Sequence, residues 1–109
     1  MKINELRDTL ALQPLSEGDT DREVSGGYTG DLLSFVMGRC PADSAWITIM
    51  NNVNVLAVAS LADAACVILA EDSVPDDAVL SRARTEGINL YTSPMTAYEL
   101  CGRLYALLS

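Results

Sequence analysis

Short β-rich segments alternate with helix-like segments through the second half of the chain, and this alternation restricts the fold more than any other feature. Apolar and β-branched runs predict strands over residues 46–50, 66–69 and 88–91. Helical patterns follow them over residues 55–61, after Pro75, and from residue 94 to 107. Strands that alternate with helices over short connections form parallel sheets with right-handed crossovers. We therefore expect one α/β domain over residues 1–109, with a mostly parallel central sheet flanked by helices.

Capping residues mark the ends of these helices. Asn54 is expected to cap the helix over residues 55–61, although the apolar period of that segment also permits a strand. Gly87 suits the position that ends the helix after Pro75. Ser93 and Pro94 are expected to open the last helix. Its apolar face comprises Ala97, Leu100, Cys101, Leu104 and Leu108.

The first half of the chain has weaker signals. Apolar residues at positions 3, 6 and 10 predict a short first helix. Pro14 restricts "QPLSEGDTD" to a loop or a short edge strand. "REVSGG" is predicted to be a strand that its glycines close. "GDLLSFVMG" is predicted to be a helix; Asp31 is expected to cap it or to complement its dipole, and Gly38 is expected to end it.

Composition excludes two classes of partner. The 109 residues carry a formal net charge of −8 and a single lysine, Lys2. So acidic a surface repels phosphate backbones and anionic lipids, and we therefore expect no nucleic-acid partner and no membrane partner. The longest apolar stretch, residues 53–70, contains Asn54, Ser60 and Asp63, which disfavours a membrane-spanning helix. The N-terminal segment lacks the apolar core of a signal peptide.

Three cysteines and the lack of histidine limit metal and redox chemistry. Cys40, Cys66 and Cys101 are too far apart in sequence for a CxxC site, so we expect no metal centre and no cofactor. Apolar neighbours indicate that Cys66 and Cys101 are small buried residues. Reduced thiols suit a cytoplasmic protein.

No catalytic set is evident in the sequence. Without histidine, neither a Ser-His nor a Cys-His nucleophile pair can form. The segment "GGYTGD" has neither the P-loop pattern nor the spacing of a dinucleotide-binding fingerprint. The pairs Asp19/Asp21 and Asp76/Asp77 are typical of solvated or capping acids. We expect a protein that is not an enzyme.

Two polar segments are candidates for binding. Gly26, Gly27, Tyr28, Thr29, Gly30 and Asp31 are expected to form a tight turn at a sheet edge, contributing to a homodimer interface or a shallow ligand site. A structural role, as turn and cap, is the alternative. The Tyr28 side chain suits stacking or an interface, and packing is the equal alternative. Asn51, Asn52 and Asn54 follow the strand over residues 46–50. We expect them to bind polar groups of a ligand at this end of the strand or, as the alternative, to form turns and caps.

Three stretches carry a resemblance to a known family. "DREVSGGYTGDLLSFVMG", "AWITIMNNVNVLAVASLADAACVILAE" and "GINLYTSPMTAYELCGRLY" resemble the DRTGG domain, over about residues 21–105. The name-giving motif is interrupted here, because Glu23, Val24 and Ser25 separate Asp21-Arg22 from Gly26-Gly27. The resemblance implies the fold of the HPr kinase N-terminal domain and no catalytic residue.

The resemblance also implies a role. The chain is similar to small stand-alone forms from anaerobic bacteria that are often encoded near redox or hydrogenase genes, and such domains often lie at dimer contacts. We therefore expect a regulatory or ligand-binding module that forms a homodimer and senses a nucleotide or small metabolite. The alternatives are a structural subunit of a redox-enzyme complex and, less favoured, a kinase-related enzyme.

Overall fold

The computed structural model describes residues 1–109, which form five strands and five helices. In chain order these are α1 (Ile3–Thr9), β1 (Gln13–Ser16), β2 (Gly26–Thr29), α2 (Leu33–Arg39), β3 (Ser44–Thr48), α3 (Val53–Ala62), β4 (Cys66–Leu69), α4 (Asp77–Glu86), β5 (Leu90–Thr92) and α5 (Ala97–Leu108).

All five strands form one sheet in the order β1-β5-β4-β3-β2. β2, β3, β4 and β5 are parallel neighbours, whereas β1 pairs antiparallel with β5 at the opposite edge from β2. Trp46 lies opposite Val67, and Val67 lies opposite Leu90. The predicted α/β fold with a mostly parallel sheet is confirmed.

Helices cover both faces of the sheet and enclose two separate cores. On one face, α1 and α5 pack with the alternate strand residues Ile47, Ile68 and Tyr91. On the other face, α2, α3 and α4 pack with Trp46 and Val67. Side chains alternate between the faces of a strand, so a run such as "CVIL" in β4 is apolar throughout because both of its faces are buried.

Several boundaries in the second half differ by a few residues from the prediction. β3 covers Ser44–Thr48 rather than residues 46–50, because the Thr48 hydroxyl accepts the Met50 N–H and turns the chain. The side chain that caps α3 is Asn52, which accepts from the Asn54 N–H, so the capping role given to Asn54 was wrong. The segment over residues 55–61 is helical, and Gly87 ends α4 in the left-handed conformation, both as predicted.

The last helix begins later than predicted. Its cap is Thr96, whose hydroxyl accepts the Glu99 N–H at 3.2 Å. Ser93 does not cap α5; its hydroxyl instead accepts the Met95 N–H at 3.1 Å in a local turn.

In the first half, α1 and the edge strand β1 lie where the sequence indicates. The prediction for "REVSGG" was wrong, because Glu23 makes only an isolated bridge to Lys2 and the regular strand begins at Gly26. The prediction for α2 was also wrong at both ends. Leu32 occupies the N-cap without a side-chain hydrogen bond, and Gly38 lies inside the helix, which continues to Arg39.

No helix has the length and apolar character needed to span a bilayer. No group of three or more His, Cys, Asp or Glu side chains is arranged to hold a metal ion.

Candidate functional site

The glycine-rich segment is an edge strand. Residues Gly26–Thr29 form β2 and pair in parallel register with β3, Gly27 lying opposite Ala45. None of its glycines has a positive φ; Gly87 is the glycine that does. The predicted tight turn was therefore wrong, because the segment is extended and bonded to β3, while its predicted place at the sheet edge is confirmed.

At Gly27 of β2, glycine is favoured by packing rather than by backbone conformation. A Cβ atom at Gly27 would lie 2.7 Å from Leu104 Cδ2, so the bare backbone lets α5 lie against the strand. At Gly26 an added Cβ would meet nothing within 4 Å. A Cβ at Gly30 would touch the Tyr28 ring at 3.4 Å. Only Gly27 is thus strongly constrained by a neighbouring helix.

One side of β2 has no partner strand. The Ile47 carbonyl of β3 accepts the Gly30 N–H at 3.2 Å, so the backbone groups of Ile47 face β2. Because Thr29 lies opposite Ile47 and backbone groups alternate in direction along a strand, the N–H and C=O groups of Gly27 and Thr29 point away from β3. A free edge of this kind is a template for pairing with another strand.

A groove of about 330 Å³ lies between β2 and α5. No charged side chain lines it, although the chain as a whole carries a net charge of −8. Its walls are formed by Ser25, Gly26, Gly27, Tyr28, Thr29, Ile47, Cys101, Leu104, Tyr105, Leu108 and Ser109. The contribution of α5 to this groove, including Cys101 and Tyr105, was missed by the sequence prediction.

The Tyr28 side chain packs within the domain. It is half-buried and lies against the core formed by α2, α3 and α4, whereas Gly27 faces α5 on the opposite side of the sheet. Of the two alternatives left open, packing is therefore the one that the structure supports. The groove reaches Tyr28 only at the strand edge.

Asp31 ties the ends of β2 and β3 together. Its carboxylate accepts the Thr48 hydroxyl at 2.7 Å and the Ile49 N–H at 3.0 Å. It does not cap α2, so that expectation was wrong. The Thr29 hydroxyl donates to the Ile47 carbonyl at 3.1 Å, across the same pair of strands.

The three asparagines form turns and caps. Asn51 donates to the Ser73 hydroxyl at 3.2 Å and to the Val74 carbonyl at 3.1 Å, joining the loops after β3 and β4. Asn52 caps α3, and Asn54 contributes a backbone N–H to that cap. None of them lines the groove. The predicted candidate residues thus divide between the groove and the carboxyl end of the sheet.

At the opposite end of the sheet, Arg22 joins three loops. Its guanidinium donates to Asp43 Oδ1 at 2.8 Å and to Asp63 Oδ1 at 3.0 Å. It also donates to the carbonyl oxygens of Asp63 at 2.8 Å and Ala64 at 3.4 Å. Asp43 and Asp63 both have left-handed backbones, with φ of 63° and 54°. Arg22 is a structural clamp that holds these two turns.

A second charged network surrounds Tyr91. Its hydroxyl donates to Glu17 Oε2 at 2.6 Å, and Arg7 donates to the same oxygen at 2.8 Å. Burial alone raises the pKa of Glu17, but the hydrogen bonds from Tyr91 and Arg7 outweigh it and leave that pKa below its usual value. Burial, together with the bond to Glu17, raises the pKa of Tyr91. Glu17 is therefore held ionised and Tyr91 protonated.

Cys66 is buried, as predicted, and Cys40 is buried as well, whereas the burial predicted for Cys101 is only partial. Burial raises the pKa of the Cys66 thiol to about 12 and also raises the pKa of Cys40. Both thiols are thereby kept protonated and unreactive. Cys101 is only partly buried and lies in the wall of the groove.

The fold and the site define a small α/β domain with a free sheet edge and, beside it, a groove that no charged side chain lines. No family model and no curated protein matches the chain. Among solved structures it is similar to the CBS and DRTGG domains of the regulatory region of Clostridium perfringens pyrophosphatase, complexed with the activator diadenosine tetraphosphate. The TM-score is 0.71 at 12% sequence identity, over 94% of this chain.

The matched region is 45% of the pyrophosphatase chain, so this chain spans less than half the length of that structure. At 12% identity the likeness is one of fold. It supports the DRTGG-like fold that the sequence stretches suggested.

Proposed function

We propose that this chain is a non-catalytic regulatory module that self-associates along the edge of β2 and binds a small ligand in the adjacent groove. The observation that carries the proposal is the juxtaposition of the two features. Gly26 and Gly27 belong both to the edge strand β2 and to the groove wall. A second copy and a ligand would therefore contact shared residues.

Shared residues are the physical basis for regulation. A ligand that contacts an interface changes the free energy of association, and by thermodynamic linkage association changes the affinity for the ligand equally. The similar fold in the regulatory region of a pyrophosphatase, solved with a nucleotide activator, supports this class of role.

The lining of the groove defines the chemistry of the ligand. Backbone amides, hydroxyl groups and apolar side chains suit an uncharged, flat group, with Tyr105 available for stacking. The net charge of −8 disfavours burial of phosphate. A nucleotide would place its base in the groove and its phosphates in solvent. Adenine nucleotides are the first class to test, because the pyrophosphatase activator belongs to it.

The groove also supports the proposal that the module is non-catalytic. Its wall contains hydroxyl groups and one thiol but no carboxylate side chain, histidine or lysine. A hydroxyl or thiol nucleophile needs an adjacent base to become active at neutral pH.

Thermal unfolding with adenosine, ATP or diadenosine tetraphosphate tests ligand binding. A ligand at a hundred-fold excess over its dissociation constant stabilises the folded state by about 2.7 kcal/mol. Such a gain raises the unfolding midpoint by about 12 °C for a domain of this size. Tyr105→Ala should remove the shift, because Tyr105 lines the groove.

Leu61→Ala is the matched control, since Leu61 is an exposed apolar residue on α3, which covers the other face of the sheet. This variant should keep the shift. The ligand part of the proposal is wrong if no compound shifts the midpoint at millimolar concentration. It is also wrong if both variants lose the shift equally.

A further inference from the structure

Helix α5 presents an exposed face that no element of the chain covers. Tyr98 and Tyr105 are 90% and 78% exposed. Gly102 lies between them, and an added Cβ there would meet open space. At about 100° per residue, these three positions fall within about 60° of one another around the helix. Tyr105 continues this face into the groove beside β2.

We propose that β2 and this face of α5 together form one isologous interface with a second copy of the chain. The inference rests on the self-association in the proposed function and specifies its surface. The two β2 strands pair antiparallel, with Gly26 opposite Tyr28 of the second copy. The two Gly27 residues then lie at the two-fold axis, and the two α5 helices lie side by side on the same face of a continuous ten-stranded sheet.

The spacing of the elements suits this arrangement. Paired strands lie about 4.8 Å apart. Since α5 contacts both β2 and β3, its axis lies about half a strand spacing inside β2. The two α5 axes would then be about 10 Å apart, the separation of packed helices. Strand pairing and helix packing are thus satisfied by one two-fold axis.

Gly27 fixes which part of α5 lies at the axis. Its backbone is against Leu104, so the neighbouring Tyr105 lies at the level of the two-fold axis. Tyr98 is seven residues away, about 10 Å along the helix. Tyr105 is therefore expected to meet its own copy, whereas Tyr98 lies towards the end of the contact.

Charge favours a second copy over a different partner. In an isologous contact near the axis every acidic side chain meets its own copy, so an acidic protein can self-associate only through a face without unpaired acids. The groove wall has no charged side chain, and the nearby Glu99 is paired with Arg103 at 3.0 Å. A basic partner would instead bind to the acidic surfaces at other places on the chain.

Sedimentation equilibrium of the full chain tests the interface. Tyr105→Glu should weaken self-association by about ten-fold or more, because two carboxylates are brought together at the axis. Tyr98→Glu, the same change on the same helix face, should have a much smaller effect. A mixture of Tyr105→Glu and Tyr105→Lys should restore the dimer as a heterodimer, which a merely misfolded variant could not do.

The outcomes separate the two proposals. A wild-type chain that stays monomeric at millimolar concentration overturns both this interface and the self-association of the proposed function. A wild-type dimer that Tyr105→Glu leaves intact, or that Tyr98→Glu weakens equally, overturns this interface alone. Failure of the charge-swapped mixture to associate places Tyr105 away from the axis and likewise contradicts the inference.

Discussion

Replacement of Arg22 by alanine should destabilise the domain more than the loss of any surface ion pair. Arg22 lies ahead of β2, and its guanidinium bonds the turns that precede β3 and β4. Its side chain is 27% exposed, so water replaces these bonds only partly. A hydrogen bond to a charged group contributes about 1.5–3 kcal/mol, and exposed ion pairs far less. Allowing for partial exposure, we expect Arg22→Ala to lower the free energy of unfolding by about 2 kcal/mol.

Chemical and thermal unfolding measure this loss, which corresponds to a midpoint lower by about 10 °C. Arg22→Lys should recover less than half of it, because a single ammonium cannot bond two carboxylates and two carbonyls in the geometry of the fork. Arg103→Ala is the matched control, since Arg103 is 59% exposed and makes only an i,i+4 pair with Glu99. The reasoning is refuted if Arg22→Ala costs no more than Arg103→Ala.

Three further predictions concern packing in β2, the pH dependence of stability and catalytic activity. Gly27→Val should cost about 1–3 kcal/mol through overpacking against Leu104, whereas Gly26→Val should be near neutral; urea unfolding compares the two. Because the folded pKa of Glu17 is depressed, its stabilising effect is present above the usual pKa of 4.5 and is lost as the pH falls through the folded value. Unfolding free energies from pH 7 to 3 should thus fall less steeply for Tyr91→Phe, and a parallel pH dependence would contradict the role of this hydrogen bond. The purified chain should not hydrolyse ATP, since it lacks a P-loop and its only lysine is at position 2; phosphate release that follows the protein through purification would overturn this prediction.

The parallel core could be predicted from the sequence because its signals are local. Buried strands read as short apolar runs, and Cys66–Leu69 was predicted to the residue. Gly87 similarly marks a helix end through its own backbone conformation. In both cases the information lies within a few residues of the element it specifies.

The edge strand β2 could not be predicted in the same way. Glycine is depleted in strands and common in turns, so "GGYT" indicates a turn by propensity. Its strand conformation instead comes from pairing with β3 and from α5, where Leu104 lies against the bare backbone of Gly27. The groove is formed by segments more than seventy residues apart in sequence, and no local pattern records that contact.

Asp31 shows the same limit for a single side chain. An acid just before a helix predicts a cap, yet its carboxylate bonds Thr48 and Ile49 on the adjacent strand. Either a helix cap or the bonds to Thr48 and Ile49 would satisfy the Asp31 carboxylate, and the choice between them depends on where the neighbouring strand β3 lies.

The central claim, that the free edge of β2 pairs with a second copy, is tested most directly by sedimentation equilibrium of Gly27→Pro and Gly27→Ala beside the wild type. Both substitutions place a Cβ atom 2.7 Å from Leu104 Cδ2, but only proline also removes the N–H that points away from β3. The account predicts a dimer for the wild type and for Gly27→Ala, and a monomer that circular dichroism shows to be folded for Gly27→Pro. Equal association of all three proteins, or a monomeric wild type, would contradict it.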